Sequence, residues 1–321
     1  MTEPLQFASL VRRFAGIAPA AAPAVWLFPG LGCRYVGMGC DLFERSGVAS
    51  ELLSQAEDML GYRLAPVCLE GSGRKVVPAR QEAQVIYVLS CAYAAALLEQ
   101  GYRPSSVLGH SLGSWAAAWA AGVYDFDSGL ELVTQVEKLL EDQVDGHGLT
   151  MGALIGLNAE TVESLIGGEA GVSIANFNSP AQYVVGGPEE GVERVLQGAL
   201  GRGAKRAGRL PTVRAIHTPW LDDLLPIFEQ KLARVMWSKP DTGFVACDRA
   251  EKLGSGEEVR QFFSVFLAKP VQWELSFRSL LQNPLPEFVE VGPGNLLTTL
   301  ASFIEPAASV HTASELLDAA S

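Results

Sequence analysis

The chain has 321 residues, 48% hydrophobic and 19% charged, enough apolar material for one large core with room for an inserted subdomain, which excludes a globally disordered chain. Its formal net charge of -12 lacks the basic surface that nucleic acid or an anionic membrane requires, so neither is an expected partner. The five cysteines (Cys33, Cys40, Cys68, Cys91 and Cys247) contain no C-x-x-C pair and read as reduced thiols, with no metal site and no resident cofactor expected. No run of 18 apolar residues spans a membrane. The N-terminus, with Arg12-Arg13 ahead of an Ala/Pro run, makes a poor signal peptide, so a cytoplasmic protein is expected.

In chain order, a short N-terminal helix and a Pro/Ala linker lead to "AVWLFPG" (24–30), an apolar run stopped by Pro-Gly and read as a buried strand. Helical spacing follows from "MGCDLFERSG" to Tyr62, then a strongly apolar helix over 81–102. "SSVLGHS" is a second strand and "LGSWAAAWAAG" a helix. Another helix follows, with Asp127 or Ser128 near its start. From residue 148 the rhythm changes. A strand at "LTMGALIGL", a helix capped by Asn158, strands at "VSIANFN" and "AQYVVGG", a helix opened by Pro188 and a strand at "KRAGRLP" form the β-α-β-β-α-β order of a ferredoxin-like unit. It is read as an insertion over 148–212 into a large α/β domain, 1–147 and 213–321, with a mostly parallel sheet.

The chemistry centres on "VLGHSLGSW" (107–115), where Ser111 stands in a Gly-x-Ser-x-Gly motif between a strand and a helix. That context raises a serine hydroxyl on a sharp turn. A serine needs a neighbouring base, and the chain offers four histidines. His110 adjoins Ser111 and is read as a buried support of the turn. His147 lies in a Gly-flanked loop and His311 near the C-terminus. His217, in "VRAIHTPW", lies where the chain re-enters the large domain, and such junctions are where sites form.

Seven segments then agree with one family in family order: "FPGLGCRYVGMG" (28–39), "GHSLGSWAAAWAAGVYDF" (109–126), "MGALIGL" (151–157), "IANFNSPAQYVVGG" (174–187), "GAKRAGRLP…IHTPW" (203–220), "PVQW" (270–273) and "FVEVGPGNLLTTL" (288–300). The chain resembles the malonyl-CoA:acyl-carrier-protein transacylases and the acyltransferase domains of polyketide synthases. The resemblance implies an α/β-hydrolase-like large domain with an inserted ferredoxin-like subdomain. It also implies a ping-pong reaction through an acyl-serine, with Ser111 as nucleophile and His217 as base. The backbone N–H groups of Leu31 and Leu112 would form the oxyanion hole, and a carbonyl near Phe266 would hold the histidine. Asn178 and His110 would lie at the pocket.

The departures from the family bear on the substrate. The family's "FPGQGSQ" becomes "FPGLGCR", which a backbone donor at Leu31 survives. The arginine that pairs with the malonyl carboxylate in the family falls at Val136 here, a residue expected to suit an uncharged chain near the serine. Glu137 beside it would repel a carboxylate, and burying one unpaired costs about 3–5 kcal/mol. Before the histidine stand Arg214 and Ile216; Ile216 is expected to add bulk to the pocket. Arg214 is either a relocated carboxylate clamp or, the favoured reading, an ordinary surface or carrier-contacting charge. The acyl carrier protein implied as partner is typically acidic with a phosphopantetheine arm, so a local basic patch is expected to meet it, at Lys205, Arg206 and Arg209. A monomer is expected. The leading reading is a standalone acyltransferase handling a non-malonyl acyl group in polyketide biosynthesis. An acyl hydrolase of the same fold, a malonyl transacylase, an esterase using His311 and a non-catalytic docking protein remain alternatives.

Overall fold

A computed structural model describes residues 5–69 and 77–319, without the side chains of Cys68 and Leu69. Among the described residues ten strands form two sheets: β1 (Ala24–Phe28), β2 (Pro104–Gly109), β3 (Leu149–Ile155), β4 (Ser173–Ser179), β5 (Gln182–Pro188), β6 (Arg206–Arg209), β7 (Gly243–Ala246), β8 (Glu251–Leu253), β9 (Phe288–Glu290) and β10 (Val310–Thr312). The larger sheet has the order β10-β9-β1-β2-β7-β8 and is parallel except for β8. All five residues of β1 are buried, as a strand covered by helices on both faces must be. The second sheet, β4-β5-β3-β6, is antiparallel and, with helices Ala159–Ile166 and Glu189–Gly201, has the expected β-α-β-β-α-β order. Its apolar cluster includes Leu154, Val162, Val185 and Leu196.

Local signals explain most boundaries. The Asn158 side chain accepts from the Thr161 N–H and caps its helix. Helix Phe126–Gln143 is capped by Asp125 rather than by Asp127 or Ser128. The single helical stretch read after Gly39 is two helices, Cys40–Arg45 and Gly47–Leu60; Ser46 caps the second. The edge strands β8 and β10 were not anticipated, because three-residue edges carry almost no periodicity. Helix Ala79–Glu99 is long and apolar enough to cross a membrane, yet 89% of its most apolar window is buried. It is therefore a core helix, buried on every residue from Ala83 to Leu98.

Two devices bring the loops of the large sheet together. Glu290, fully buried at the end of β9, accepts hydrogen bonds from the Leu297 and Thr298 N–H groups and the Thr298 hydroxyl. It thus satisfies the N-terminus of helix Leu296–Ile304. The segment 270–273 ties the sheets together: the Val271 N–H donates to Ala175 O, the Phe177 N–H to Val271 O, and the Gln272 N–H to Cys247 O.

The turn after β2 depends on absent side chains. A Cβ on Gly113 would lie 2.0 Å from the Phe28 carbonyl oxygen, and one on Gly109 would lie 2.2 Å from the Ser114 nitrogen. Helix Gly113–Ala120 therefore packs directly on the backbone of β1. Gly113→Ala is expected to cost at least about 1–3 kcal/mol by overpacking, read as a lower urea midpoint, and to displace the turn that holds Ser111.

Candidate active site

Ser111 sits at φ 50°, a left-handed conformation costing on the order of 1–3 kcal/mol for a residue with a Cβ. It is held there by the packing of both glycines and by the His110 N–H, which donates to Phe28 O at 2.9 Å. The Ser111 Oγ lies 2.7 Å from His217 Nε2. His217 is also left-handed, at φ 64°, and is 2% exposed. Its N–H donates to Leu267 O at 2.7 Å. Its Nδ1 faces Phe266 O at 3.0 Å and Lys269 O at 3.1 Å. Two carbonyls at Nδ1 require the proton there, which leaves the Nε2 lone pair toward Ser111. These carbonyls belong to the turn Phe266–Ala268 and the residue after it, following helix Gly256–Val265, where backbone acceptors lack intrahelical partners. Trp115, on the helix after Ser111, stacks on Phe263 with centroids 3.9 Å apart and meets Phe266 edge-on at 5.9 Å. The serine's helix and the histidine's turn are thus packed as one unit.

Burial pushes the His217 pKa down to about 4, against the raising effect of the Phe266 carbonyl. The imidazole is therefore neutral at pH 7 and able to accept a proton. Neither the Leu31 nor the Leu112 N–H donates to any described residue. Leu112 immediately precedes helix Gly113–Ala120. Gly30 lies against the turn, where a Cβ would be 3.4 Å from the Leu112 nitrogen. Two unused N–H groups beside a raised serine suit a developing oxyanion.

A cavity of about 330 Å³ opens at Ser111 and His217. It gathers Leu31, His110, Asn178, Arg214 and Ile216 from the sequence reading. His110 is buried, with Nε2 2.8 Å from Asn178 Oδ1 and its ring edge-on to Trp273, so it supports the turn as expected. Burial lowers its pKa. Two expectations are corrected. Val136 is 4% exposed and packs in the main apolar cluster, outside the cavity lining, because helix Phe126–Gln143 turns it into the core. Arg214 is not a surface charge: it is 4% exposed, with Nη1 2.5 Å from Glu137 Oε2 and Nε 2.7 Å from Asp145 Oδ1. Burial works against its charge, but hydrogen bonds and attraction from Asp145 and Glu137 hold its pKa above the ordinary value. Burial raises Glu137 despite Arg214. Lys205, Arg206 and Arg209 lie exposed at and beside edge strand β6, away from the cavity lining; Arg209 pairs with Glu189 at 2.7 Å.

The sequence reading missed Glu82, Asn176 and Gln182 in the cavity wall. Asn176 could have been found from Asn178, since alternate strand residues share a face. Glu82 had only the weak signal of an acid opening an apolar helix. His147 is exposed, and His311 lies 3.5 Å from Glu287, neither of them lining the cavity.

Two outcomes are expected. With Ser111 as the nucleophile expected from the sequence, its acylation should keep its rate down to about pH 5 and fall with an apparent pKa near 4, since His217 protonates only there. Stability should fall as pH drops from 6.5 toward 4, because the unfolded histidine binds a proton that the folded one refuses. Rate and circular dichroism profiles over pH 3.5–8 check both. Arg214→Gln should destabilise the fold by about 3–5 kcal/mol at pH 7 by leaving Glu137 buried and unpaired. The loss in a urea titration should shrink at acid pH, where Glu137 takes up a proton.

Comparison with known proteins accords with this geometry. The chain is 31% identical over 284 residues to the malonyl CoA-acyl carrier protein transacylase of Escherichia coli strain K12, covering 87% of this chain and 92% of that protein. It is 32% identical over 301 residues to the polyketide biosynthesis protein ThaF of Burkholderia thailandensis, covering 90% of this chain but 26% of ThaF, so it spans about a quarter of that relative. The solved structure of the malonyl-transacylase PlMCAT in complex with a type II PKS acyl-carrier protein superposes with a TM-score of 0.85 at 29% identity, covering 91% of this chain and 96% of that one. Residues 25–315 match the family of the acyl transferase domain, and the chain belongs to that family of acyltransferases.

Proposed function

We propose that this acyltransferase works alone on thioesters of acyl carrier proteins or CoA in polyketide biosynthesis, and that its acyl group bears no second carboxylate. The observation that carries the mechanism is the 2.7 Å contact between Ser111 Oγ and a buried, neutral His217. Ser111 Oγ adds to the thioester carbonyl as its proton passes to His217 Nε2. The Leu31 and Leu112 N–H groups receive the oxyanion. The C–S bond breaks, and the sulfur leaves as a thiol by taking the proton from His217. A second thiol then gives its proton to His217 and attacks the acyl-serine. The C–O bond breaks and Ser111 regains its proton.

Arg214 supports the acyl class. Its guanidinium already meets two carboxylates, so a dicarboxylic substrate would bring a third negative charge to one cation. The carrier partner is supported by the relatives, one of them solved with an acyl-carrier protein. The exposed Lys205 and Arg206 make no ion pair with any described residue and suit an acidic carrier.

A carrier loaded with labelled butanoyl, incubated with the enzyme and an unloaded second carrier, should pass label to the second carrier through Ser111. Ser111→Ala should lower transfer by about a thousandfold or more. Malonyl should load on the order of a hundredfold more slowly than butanoyl. Label recovered as free acid would instead identify a hydrolase, and equal malonyl loading would overturn the acyl class.

A further inference from the structure

We infer that the acyl group taken by this site carries an ammonium group and that Glu82 in the cavity wall recognises it. The inference rests on the reading of Ser111 as the acyl-bearing residue. Glu82 stands in the first turn of helix Ala79–Glu99 and lines the same cavity as Ser111 and His217. Its carboxylate makes no hydrogen bond or ion pair with any described residue; burial raises its pKa, and the charge of Arg34 opposes this. The other charged side chain of the wall, Arg214, is taken up by Glu137 and Asp145. Glu82 thus lines the cavity without an ion pair among the described residues, the charge of Arg34 acting on it only from beyond contact distance.

A second observation points the same way. Asn176 Oδ1, in the same wall, is buried and meets no donor among the described residues. Much of the remaining wall is apolar, including Leu31, Met151, Ile216, Leu296 and Leu300. An apolar acyl chain bearing an ammonium would fill such a cavity and supply three N–H donors to a wall with unused acceptors. A plain alkyl chain would displace water from Glu82 and give it nothing in return. A carboxylate in the first turn also gains from the helix N-terminus, but that effect needs no substrate and cannot discriminate between acyl chains.

The test uses the full chain and acyl-pantetheine thioesters in pairs of equal size, 3-aminobutanoyl against 3-methylbutanoyl and 6-aminohexanoyl against heptanoyl. Loading of Ser111 is followed by intact-protein mass spectrometry at pH 7. In at least one pair the amino member should load about tenfold faster or more, the range of a charge-assisted hydrogen bond. Glu82→Gln should bring the ratio of the two rates to about one. Methyl-capped chains loading as fast as their amino partners in both pairs would overturn the inference, and that wild-type result needs no variant to fold. A Glu82→Gln variant that slows both members equally would also overturn it, leaving a structural role. Loading that persists in Ser111→Ala, or no loading by any of the four, would instead refute the acyl-serine reading itself.

Discussion

The site depends on how closely helix Gly113–Ala120 approaches the backbone of β1. With a Cβ on Gly113 only 2.0 Å from the Phe28 carbonyl, no other residue fits without moving the helix. That proximity closes the turn after β2 so sharply that Ser111 must adopt a left-handed backbone. Three non-glycine residues among those described have positive φ: Ser111, His217 and Ala250. The first two are bonded to each other, so strain is concentrated where the chemistry needs a fixed geometry.

His217 is kept neutral by burial and oriented by backbone carbonyls rather than by an acidic partner. Backbone carbonyls at Nδ1 fix the tautomer, and desolvation keeps the ring neutral near pH 7. A charged third residue would raise the histidine's pKa and protonate more of it at rest. The same low-dielectric surroundings govern the cavity wall. Arg214 remains ionised inside the protein because two carboxylates hold it. Charge in this site is therefore set by pairs, and the unpaired groups are the ones available to a ligand.

Much of this was legible in the residues. The Gly-x-Ser-x-Gly motif between an apolar run and a helical run named the serine, because glycine spacing is a local steric property. The split β-α-β-β-α-β unit was readable from its turns and caps, such as Asn158. Val136 and Arg214 were misread because both depend on which face of a helix or loop meets the core. Spacing from Ser111 could say that a family arginine was missing, but not that Val136 turns away from the cavity. Nothing within a few positions of Arg214 suggested burial; its partners Glu137 and Asp145 lie 77 and 69 residues earlier. Glu82 was passed over because a carboxylate opening a helix is ordinary on a surface.

By itself, the sequence determined the strand-turn-helix around Ser111, the α/β class and the succession of elements, all of which follow from contacts between residues near in the chain. The tertiary structure alone decided that Val136 turns into the core, that Arg214 is buried between Glu137 and Asp145, and that Glu82 shares a wall with Ser111. These are relations between segments tens of residues apart, fixed by packing of the core. The chain records them only through its net burial, not through any local pattern.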